Sequence, residues 1–365
     1  MKICYFLTQM HSPGGVERTL HNRLKELSKL YEIYLITIEQ GEKPYYFGKI
    51  SNVKYIDLDI KFDRSNRIFM KKNISNFFRI IIKYFKLMLI INKIKPDYTV
   101  SLSLGLTSYL LSFINYKGTR VLEHHASLYH LDFVNKSPNF FKSYILNKHS
   151  KHIFLSEEEK KLAHFINTEK IVIPNPIPSD LPPIIPYLKK QNRVIAAGRY
   201  VEIKGFYRLL EIWKIIYKSC PHWTLEIYGD PDEKIYPCLK SFIEENDLQD
   251  RTFLFSSSKD IVDIINNSKI YAMTSYFENF PMVMLEALSV GTINIAFDCP
   301  TGPRNIIDNE TGYLVANDDI ELYAQTLLKI IENSSEAHFK SNNAIQSSKE
   351  YALNKILDKW ENILN

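Results

Sequence analysis

The chain has 365 residues, more than the roughly 150 that one domain typically uses, and its 45% hydrophobic and 24% charged residues exclude disordered and fibrous proteins. Its net charge of +5 is unevenly divided, because residues 1–180 carry 27 Lys and Arg against 16 Asp and Glu. The four cysteines form no Cys-x-x-Cys pair, which argues against zinc ribbons, iron–sulfur clusters and a disulfide scaffold. Because residues 1–8 begin a strand pattern rather than a signal peptide, we expect a globular protein of the cytoplasm.

Seven short β-branched or aromatic runs cross the first half of the chain, at intervals that leave room for a helix. They occupy 2–8, 31–39, 53–59, 98–104, 120–125, 152–156 and 170–175. Strands that alternate with helices are typical of parallel sheets. Residues 1–180 are therefore predicted to form a doubly wound, Rossmann-like α/β domain.

The segment 61–95 carries ten basic side chains against one acidic. Five of them fall within an arc of about 80° on one helix, predicted over about 72–94: Lys72, Arg79, Lys83, Lys86 and Lys93. The other faces are apolar, but no uncharged run approaches the roughly 20 residues of a membrane span. We predict that this helix lies on an anionic membrane surface through its basic stripe, against the alternative of an ordinary amphipathic helix with a solvated lysine face.

A proline-rich stretch from Pro174 to Pro186 precedes a second series of strand patterns. These six runs occupy 193–199, 224–229, 252–256, 270–275, 293–298 and 312–315. They predict a second doubly wound α/β domain over 187–345, followed by a terminal helix within 346–365 that could pack on either domain. Ligands of open α/β sheets bind beyond the carboxyl ends of the strands, so we expect the active site in a cleft between the two domains.

The loop after the first strand reads HSPGGVER and contains Gly14 and Gly15. It lacks the Gly-x-Gly-x-x-Gly pattern, which argues against a simple nicotinamide site. Bare backbone N–H groups at the start of a helix suit a diphosphate, although a plain strand-to-helix turn explains this feature equally well.

Two glutamates and two cations are the candidates for chemistry. Glu278 falls in a loop after a strand, and Glu286 falls inside the helix that Pro281 begins. Arg199 ends another strand, and Lys204 follows at the start of a helix. A fixed pair of cations can neutralise a diphosphate leaving group without metal, whereas the alternative is a set of ordinary surface charges.

No metal site is expected. Asp57 and Asp59 form an Asp-x-Asp pair, which is better explained as a solvated strand end than as a metal site. His124, His125 and His130 do not match zinc-ligand spacing, since adjacent strand residues point to opposite faces.

Several short motifs occur in a fixed order along the chain: GGVE (14–17), EHH (123–125), IPNPI (173–177), GRYVEIKG (198–205), IYGD (227–230) and FENFPMVMLE (277–286). This ordered set resembles the retaining family 4 glycosyltransferases of the GT-B fold. The resemblance implies two Rossmann-like domains that face each other across a cleft.

The resemblance also implies roles for individual residues. Arg199 and Lys204 would hold the nucleotide diphosphate, Glu286 the ribose hydroxyls and Glu278 the donor sugar. His124 would lie near the anomeric centre, with His125 as the open alternative. The remaining donor-binding residues would be Gly14, Gly15, Asn175, Asn279, Phe280, Pro281 and Met282. Asn279 and Ser256–Ser258 depart from the family pattern, which leaves the loop backbone and the base undetermined.

These observations predict a metal-independent, cofactor-free retaining transferase at the inner face of the plasma membrane. It would move a hexose or N-acetylhexosamine, with UDP as the expected nucleotide, to a lipid-linked or cell-surface glycan such as a capsule or cell-wall polysaccharide. No nucleic-acid partner is implied. The alternatives are a catalytically silent binding subunit of the same fold and a sugar-nucleotide epimerase.

Overall fold

The computed structural model describes residues 1–60, 74–128 and 140–364, with the side chains of 74–76 excepted. The chain divides into two compact units. The first comprises Met1–Pro174 together with Ile356–Asn365, and the second comprises Asn175–Lys355. Each unit contains one sheet, of seven and six strands respectively, and the pairings within both sheets are parallel. The predicted pair of doubly wound α/β folds is confirmed.

The strands of the first unit are β1 (Lys2–Leu7), β2 (Glu32–Thr37), β3 (Val53–Asp57), β4 (Tyr98–Ser101), β5 (Thr119–His124), β6 (Lys151–Phe154) and β7 (Glu169–Val172). They lie in the order β3-β2-β1-β4-β5-β6-β7. The chain therefore reverses its direction of travel across the sheet between β1 and β4. This topological switch point is where open α/β sheets leave a crevice at their carboxyl ends.

Five described helices connect these strands: α1 (Gly15–Leu27), α2 (Ile74–Ile94), α3 (Leu106–Phe113), α4 (Phe140–Leu146) and α5 (Glu157–Leu162). They pack apolar faces on a sheet whose central strands are themselves apolar on both sides, as parallel sheets require. Strand β1 illustrates this, because its four central residues, Ile3 to Phe6, are all at most 2% exposed.

The second unit contains β8 (Gln191–Ala197), β9 (Thr224–Tyr228), β10 (Thr252–Phe255), β11 (Ser268–Met273), β12 (Ile293–Phe297) and β13 (Gly312–Val315). Its helices are α6 (Phe206–Ile216), α7 (Ile235–Glu245), α8 (Ile261–Asn266), α9 (Met282–Ser289), α10 (Ile320–Glu332) and α11 (Ser334–Ser348). The strand order is β10-β9-β8-β11-β12-β13. The switch point of this sheet therefore lies between β8 and β11.

The last helix, α12 (Leu353–Leu364), belongs mostly to the first unit. Its residues Ile356, Trp360 and Ile363 repeat at helical spacing, and each is at most 4% exposed within the core of that unit. The hydroxyl of Tyr98 in β4 also donates to the Ile363 carbonyl at 3.2 Å. Helix α12 thus packs in the same core as strand β1.

Candidate functional site

The candidate donor residues of the second unit lie at the switch point of its sheet. Arg199 follows the carboxyl end of β8, and Glu278 follows the carboxyl end of the adjacent strand β11. Lys204 ends a short 3-10 turn, Glu202–Lys204, that comes directly after Arg199. The topology therefore brings Glu278 to the strand end that Arg199 and Lys204 follow, although Glu278 is distant from both in sequence.

Lys204 and Glu278 form an ion pair at this edge. The Lys204 ammonium donates to Oε1 of Glu278 at 2.6 Å, and the hydroxyl of Ser275 donates to the same oxygen at 2.7 Å. The two charged side chains are 26% and 13% exposed. Arg199 is exposed, and within the residues that the structure describes it makes no ion pair. One cation is thus held by a carboxylate while the second is available to an anion.

Gly205 makes the close approach of Lys204 to β11 possible. Its φ of +63° lies in the left-handed region, and a Cβ at this position would collide with the Thr274 carbonyl oxygen. The hydroxyl of Thr274 donates to the Gly205 carbonyl at 2.9 Å, which fixes the turn on the strand end. The packing and the backbone conformation therefore both require glycine at the last position of GRYVEIKG, Gly205.

The backbone of Glu278 is held by the loop after β12. Its amide donates to the Pro300 carbonyl at 3.0 Å, and the amide of Thr301 donates back to the Glu278 carbonyl at 3.1 Å. A Cβ on Gly302 would come within 2.7 Å of the Glu278 Cβ, so this packing leaves no room for a side chain. These contacts fix the carboxylate in position beside Lys204.

Helix α9 begins directly after the loop that contains Glu278 and places Glu286 one turn into the helix. Pro281 is the N-cap residue, and Asn279 and Phe280 are buried. Met282 is the first helical residue, and Glu286 is 1% exposed. Unsatisfied amides at a helix start favour nearby negative charge.

Tyr271 of β11 is a neighbour of both glutamates. Its hydroxyl donates to the Ala197 carbonyl at 3.2 Å, next to the GRYVEIKG turn. Burial raises the pKa of Tyr271, and the negative charges of Glu278 and Glu286 raise it further. The tyrosine therefore stays protonated, and both carboxylates lie close enough to act on one buried group.

Arg208 supports the same strand end and was not among the predicted site residues. It is 4% exposed on α6 and donates to the carbonyls of Thr274 and Ser275, while Asp318 accepts from it. Its guanidinium lies 4.1 Å from the ring centroid of Tyr276. Burial lowers the pKa of Arg208, and Asp318 partly offsets this effect. The available sequence signal was a basic residue on the apolar face of a predicted helix.

Two further groups of predicted site residues belong to the first unit: the glycine loop and two adjacent histidines. Gly14 is the N-cap of α1, and Gly15 is its first residue. The hydroxyl of Ser12 donates to the Glu17 carboxylate at 2.6 Å, and a Cβ on Gly14 would collide with that carboxylate. Asn175 is buried at the start of the second unit, outside its strands.

His124 occupies a core position, and its predicted contact with the transferring sugar stays a prediction. The ring is 3% exposed and stacks on Phe154 with 4.4 Å between centroids. Nε2 of His124 lies 2.9 Å from Nδ1 of His152. Burial lowers the pKa of His124, and the neighbouring histidines lower it further. His125, the residue that follows β5, instead contacts Glu123.

The predicted basic stripe does not form one exposed face. Lys83 is 2% exposed, and burial lowers its pKa to about 8 although Glu39 acts in the opposite direction. Lys86 is exposed and donates to the Leu58 carbonyl at 2.7 Å. Lys72 lies outside the described residues. The predicted stripe is corrected here: Lys83 is buried because the face that carries it also carries Leu87 and Ile91, which pack in the core.

The face of α2 that is exposed is apolar. Its side chains are 50–65% exposed: Phe77, Phe78, Ile82, Phe85 and Leu89. We refer to these five residues as the aromatic face. At 100° per residue they span about 140°, and Arg79, Lys86 and Lys93 lie along one border of that arc. Within the described residues, no helix has the length and apolar character needed to span a membrane.

Within the same residues, the structure contains no group of three or more His, Cys, Asp or Glu side chains arranged to hold a metal ion.

The chain is similar to known glycosyltransferases. Residues 182–347 match the family model described as glycosyl transferases group 1. Over 179 residues the chain is 39% identical to the amylovoran biosynthesis glycosyltransferase of Erwinia amylovora, a match that covers 49% of this chain and 50% of that protein. A glycosyltransferase of Haemophilus influenzae is 26% identical over 100% of this chain and 99% of its own length. The chain thus spans about half the length of the first relative and nearly all of the second.

One solved structure shows the same fold over the whole chain. It is a variant of S. aureus TarM in complex with fondaparinux, alpha-GlcNAc-glycerol and UDP. The TM-score is 0.78 at 18% identity, and the match covers 100% of this chain and 99% of that one.

Proposed function

Given that this chain is a glycosyltransferase with the GT-B fold, and that residues 182–347 form its group 1 domain, we propose that it transfers a sugar from UDP to a glycan acceptor. The sugar is a hexose or an N-acetylhexosamine, and the acceptor is a lipid-linked or cell-surface glycan. The transfer retains the configuration of the donor sugar and requires no metal.

The observation that carries the proposal is the charge arrangement between β8 and β11. Arg199 is exposed there, and Lys204 lies 2.6 Å from Glu278. In the proposed mechanism both cations stabilise the negative charge that develops on the departing diphosphate. Glu278 holds Lys204 in place and accepts hydrogen bonds from hydroxyls of the donor sugar, because an ionised carboxylate can only accept.

Glu286 serves a different substrate group in this proposal. It is almost fully buried one turn into α9, so a ligand would meet it only after passing the start of that helix. Two adjacent ribose hydroxyls suit the two acceptor oxygens of such a carboxylate. The solved relative with UDP bound supports this nucleotide as the donor carrier.

The aromatic face of α2 supports attachment to a membrane surface. Burying one phenylalanine side chain is worth about 1.5–3 kcal/mol, and each nearby basic residue adds about 1 kcal/mol on an anionic bilayer. Arg79, Lys86 and Lys93 border the aromatic face and are placed to meet lipid phosphates while the rings enter the interface. The proposed contact therefore differs from the basic stripe that the sequence predicted.

A panel of sugar nucleotides tests the donor chemistry. Purified protein is incubated with each donor, with and without a membrane extract and with and without excess EDTA, and nucleotide release is measured. We expect release from UDP-sugars, stimulation by the extract and no loss with EDTA. Release that disappears with EDTA and returns with magnesium would contradict metal independence, and no release from any donor would contradict the function itself.

A further inference from the structure

Tyr351 contacts two loops of the second unit that meet at Glu278. Its hydroxyl donates to the Asn305 carbonyl at 3.0 Å, and its ring centroid lies 5.8 Å from that of Phe280. Phe280 lies in the loop that leads from Glu278 into α9, and Asn305 ends the short 3-10 turn that follows β12. One side chain, far from both loops in sequence, therefore touches the two segments that carry and support this carboxylate.

The contact at Asn305 is passed on to Glu278 through the loop after β12. The backbone amide of Asn305 donates to the Gly302 carbonyl at 3.1 Å, and its side-chain amide donates to the Thr301 carbonyl. The hydroxyl of Thr301 donates in turn to the Glu278 carbonyl at 2.9 Å. The carbonyl that Tyr351 holds is thus the first member of a short series of contacts that ends on the backbone of Glu278.

The hydroxyl of Tyr351 acts as the donor in this contact. The side chain is half-buried, and burial raises its pKa, while the negative charges of Asp308 and Glu350 raise it further. The phenol therefore keeps its proton at neutral pH and can donate it to a carbonyl oxygen. Removing the hydroxyl would leave the half-buried Asn305 carbonyl without this donor, which has a free-energy cost that the loop must meet.

Tyr351 is itself held in place, as a residue that positions others must be. It ends the 3-10 turn Lys349–Tyr351 after α11, and its carbonyl accepts from the Ile177 amide at 2.8 Å. Helix α11 packs against α9, and the hydroxyl of Ser341 in α11 donates to the Gly291 carbonyl at 2.6 Å, just beyond the end of α9. The two helices are therefore joined near both ends of α9, by Ser341 at its end and by Tyr351 before its start.

We propose that Tyr351 is a positioning residue of the donor site, which fixes the loop that supports Glu278 through its hydroxyl and the start of α9 through its ring. This inference rests on the proposed glycosyl transfer, because that function gives Glu278 and α9 their ligands. The two contacts have separable effects. The hydroxyl acts on the sugar contact of Glu278, whereas the ring acts on the helix start that precedes Glu286, the residue proposed to bind the ribose.

Hydrogen exchange of the full chain tests the positioning without nucleotide and without any need for activity. Tyr351→Phe keeps the ring and removes only the hydroxyl. Exchange at the amides of Glu278, Thr301 and Asn305 should become about twofold to tenfold faster, the range that loss of one neutral hydrogen bond supports. The matched control is Tyr313→Phe, which removes a hydroxyl of β13 that donates to a carboxylate of α11. Exchange at the three amides that is no faster than in the control would overturn the positioning role.

Kinetics and calorimetry test the consequence for the donor. Tyr351→Phe should lower kcat/KM for the UDP-sugar about twofold to tenfold, with affinity for UDP alone within about twofold, because Glu278 contacts the sugar. Tyr351→Leu also removes the ring that packs on Phe280, so it should in addition weaken UDP binding about threefold to tenfold. The KM for the acceptor should stay within about twofold in both variants. A role in folding alone would not separate these parameters.

The outcomes separate the two proposals. Unchanged kcat/KM and unchanged UDP affinity in both folded Tyr351 variants would overturn the role in the donor site, and so would an equal kinetic loss in Tyr313→Phe. If the unmodified protein releases no nucleotide from any donor, the proposed glycosyl transfer fails, and the kinetic effects expected of Tyr351 fail with it. Hydrogen exchange decides independently whether Tyr351 positions the loop.

Discussion

The effect of Lys204 on catalysis can be measured apart from its effect on stability, because its ion pair with Glu278 is partly exposed. Pairs of this kind contribute about 0–1 kcal/mol to stability, so Lys204→Ala should fold normally. Loss of one preorganised cation at the diphosphate should lower kcat on the order of a hundredfold, and Arg199→Ala should do the same. Lys214→Ala, which removes an exposed cation of α6, is the matched control. Equal rates for Lys204→Ala and the control would show that Lys204 does not stabilise the leaving group.

Substitutions of the two glutamates should affect different kinetic and binding parameters. Glu286→Gln should weaken UDP binding about tenfold, because a ribose contact is made in the ground and transition states alike. Glu278→Gln should lower kcat more than UDP affinity, since it loosens Lys204 and a contact to the sugar. Calorimetry with UDP and steady-state kinetics measure the two effects. The reverse pattern would mean that the roles of the two carboxylates are exchanged.

The aromatic face of helix α2 should control membrane binding. Phe77→Ser/Phe85→Ser should reduce cosedimentation with anionic liposomes at least about tenfold, since each ring contributes about 1.5–3 kcal/mol when buried. The matched control is Phe253→Ser/Phe339→Ser, which changes two exposed phenylalanines of the second unit. High salt should weaken binding only partly, because the rings supplement the charges. Equal binding by both double variants would show that the aromatic face is not the membrane contact.

The buried amine of α2 should make the first unit more stable at alkaline pH. The pKa of Lys83 is about 8 in the folded chain, against about 10.4 in an unfolded chain. Between these values the unfolded state binds more protons, so the free energy of unfolding rises with pH. The effect is at most about 3 kcal/mol.

Denaturant titrations at pH 7.5 and about pH 10 measure this slope. Lys83→Met keeps a long side chain and removes the titrating group, so it should flatten the difference between the two pH values. Arg79→Met, an equally long replacement of a less buried cation on the same helix, should leave the slope unchanged. A slope that persists in Lys83→Met would assign the pH dependence to other groups.

At the scale of the whole molecule, the sequence predicted the two sheets and their strands but not which face of each element is buried. Helical period places Lys83 with Arg79 and Lys86, but only the packing of Leu87 and Ile91 shows that the Lys83 side is turned inward. Strand alternation separates the two histidines in the same way, without showing which one enters the core. Arg208 was missed because its partners are the carbonyls of Thr274 and Ser275, 66 and 67 residues away, and the carboxylate of Asp318, 110 residues away, and such distant pairings have no sequence signature.

The return of α12 to the first unit has a consequence for stability. Trp360 is 2% exposed in the core of that unit, and Trp213 is 0% exposed in the core of the second. Truncating a buried tryptophan to alanine typically costs about 3–5 kcal/mol. Trp360→Ala should therefore reduce hydrogen-exchange protection in β1 and β5 while β8 and β12 keep theirs, although the substitution lies after the second unit in sequence. Trp213→Ala should give the opposite pattern. If Trp360→Ala instead lowers protection mainly in β8 and β12, the last helix stabilises the second unit and its assignment to the first core is wrong.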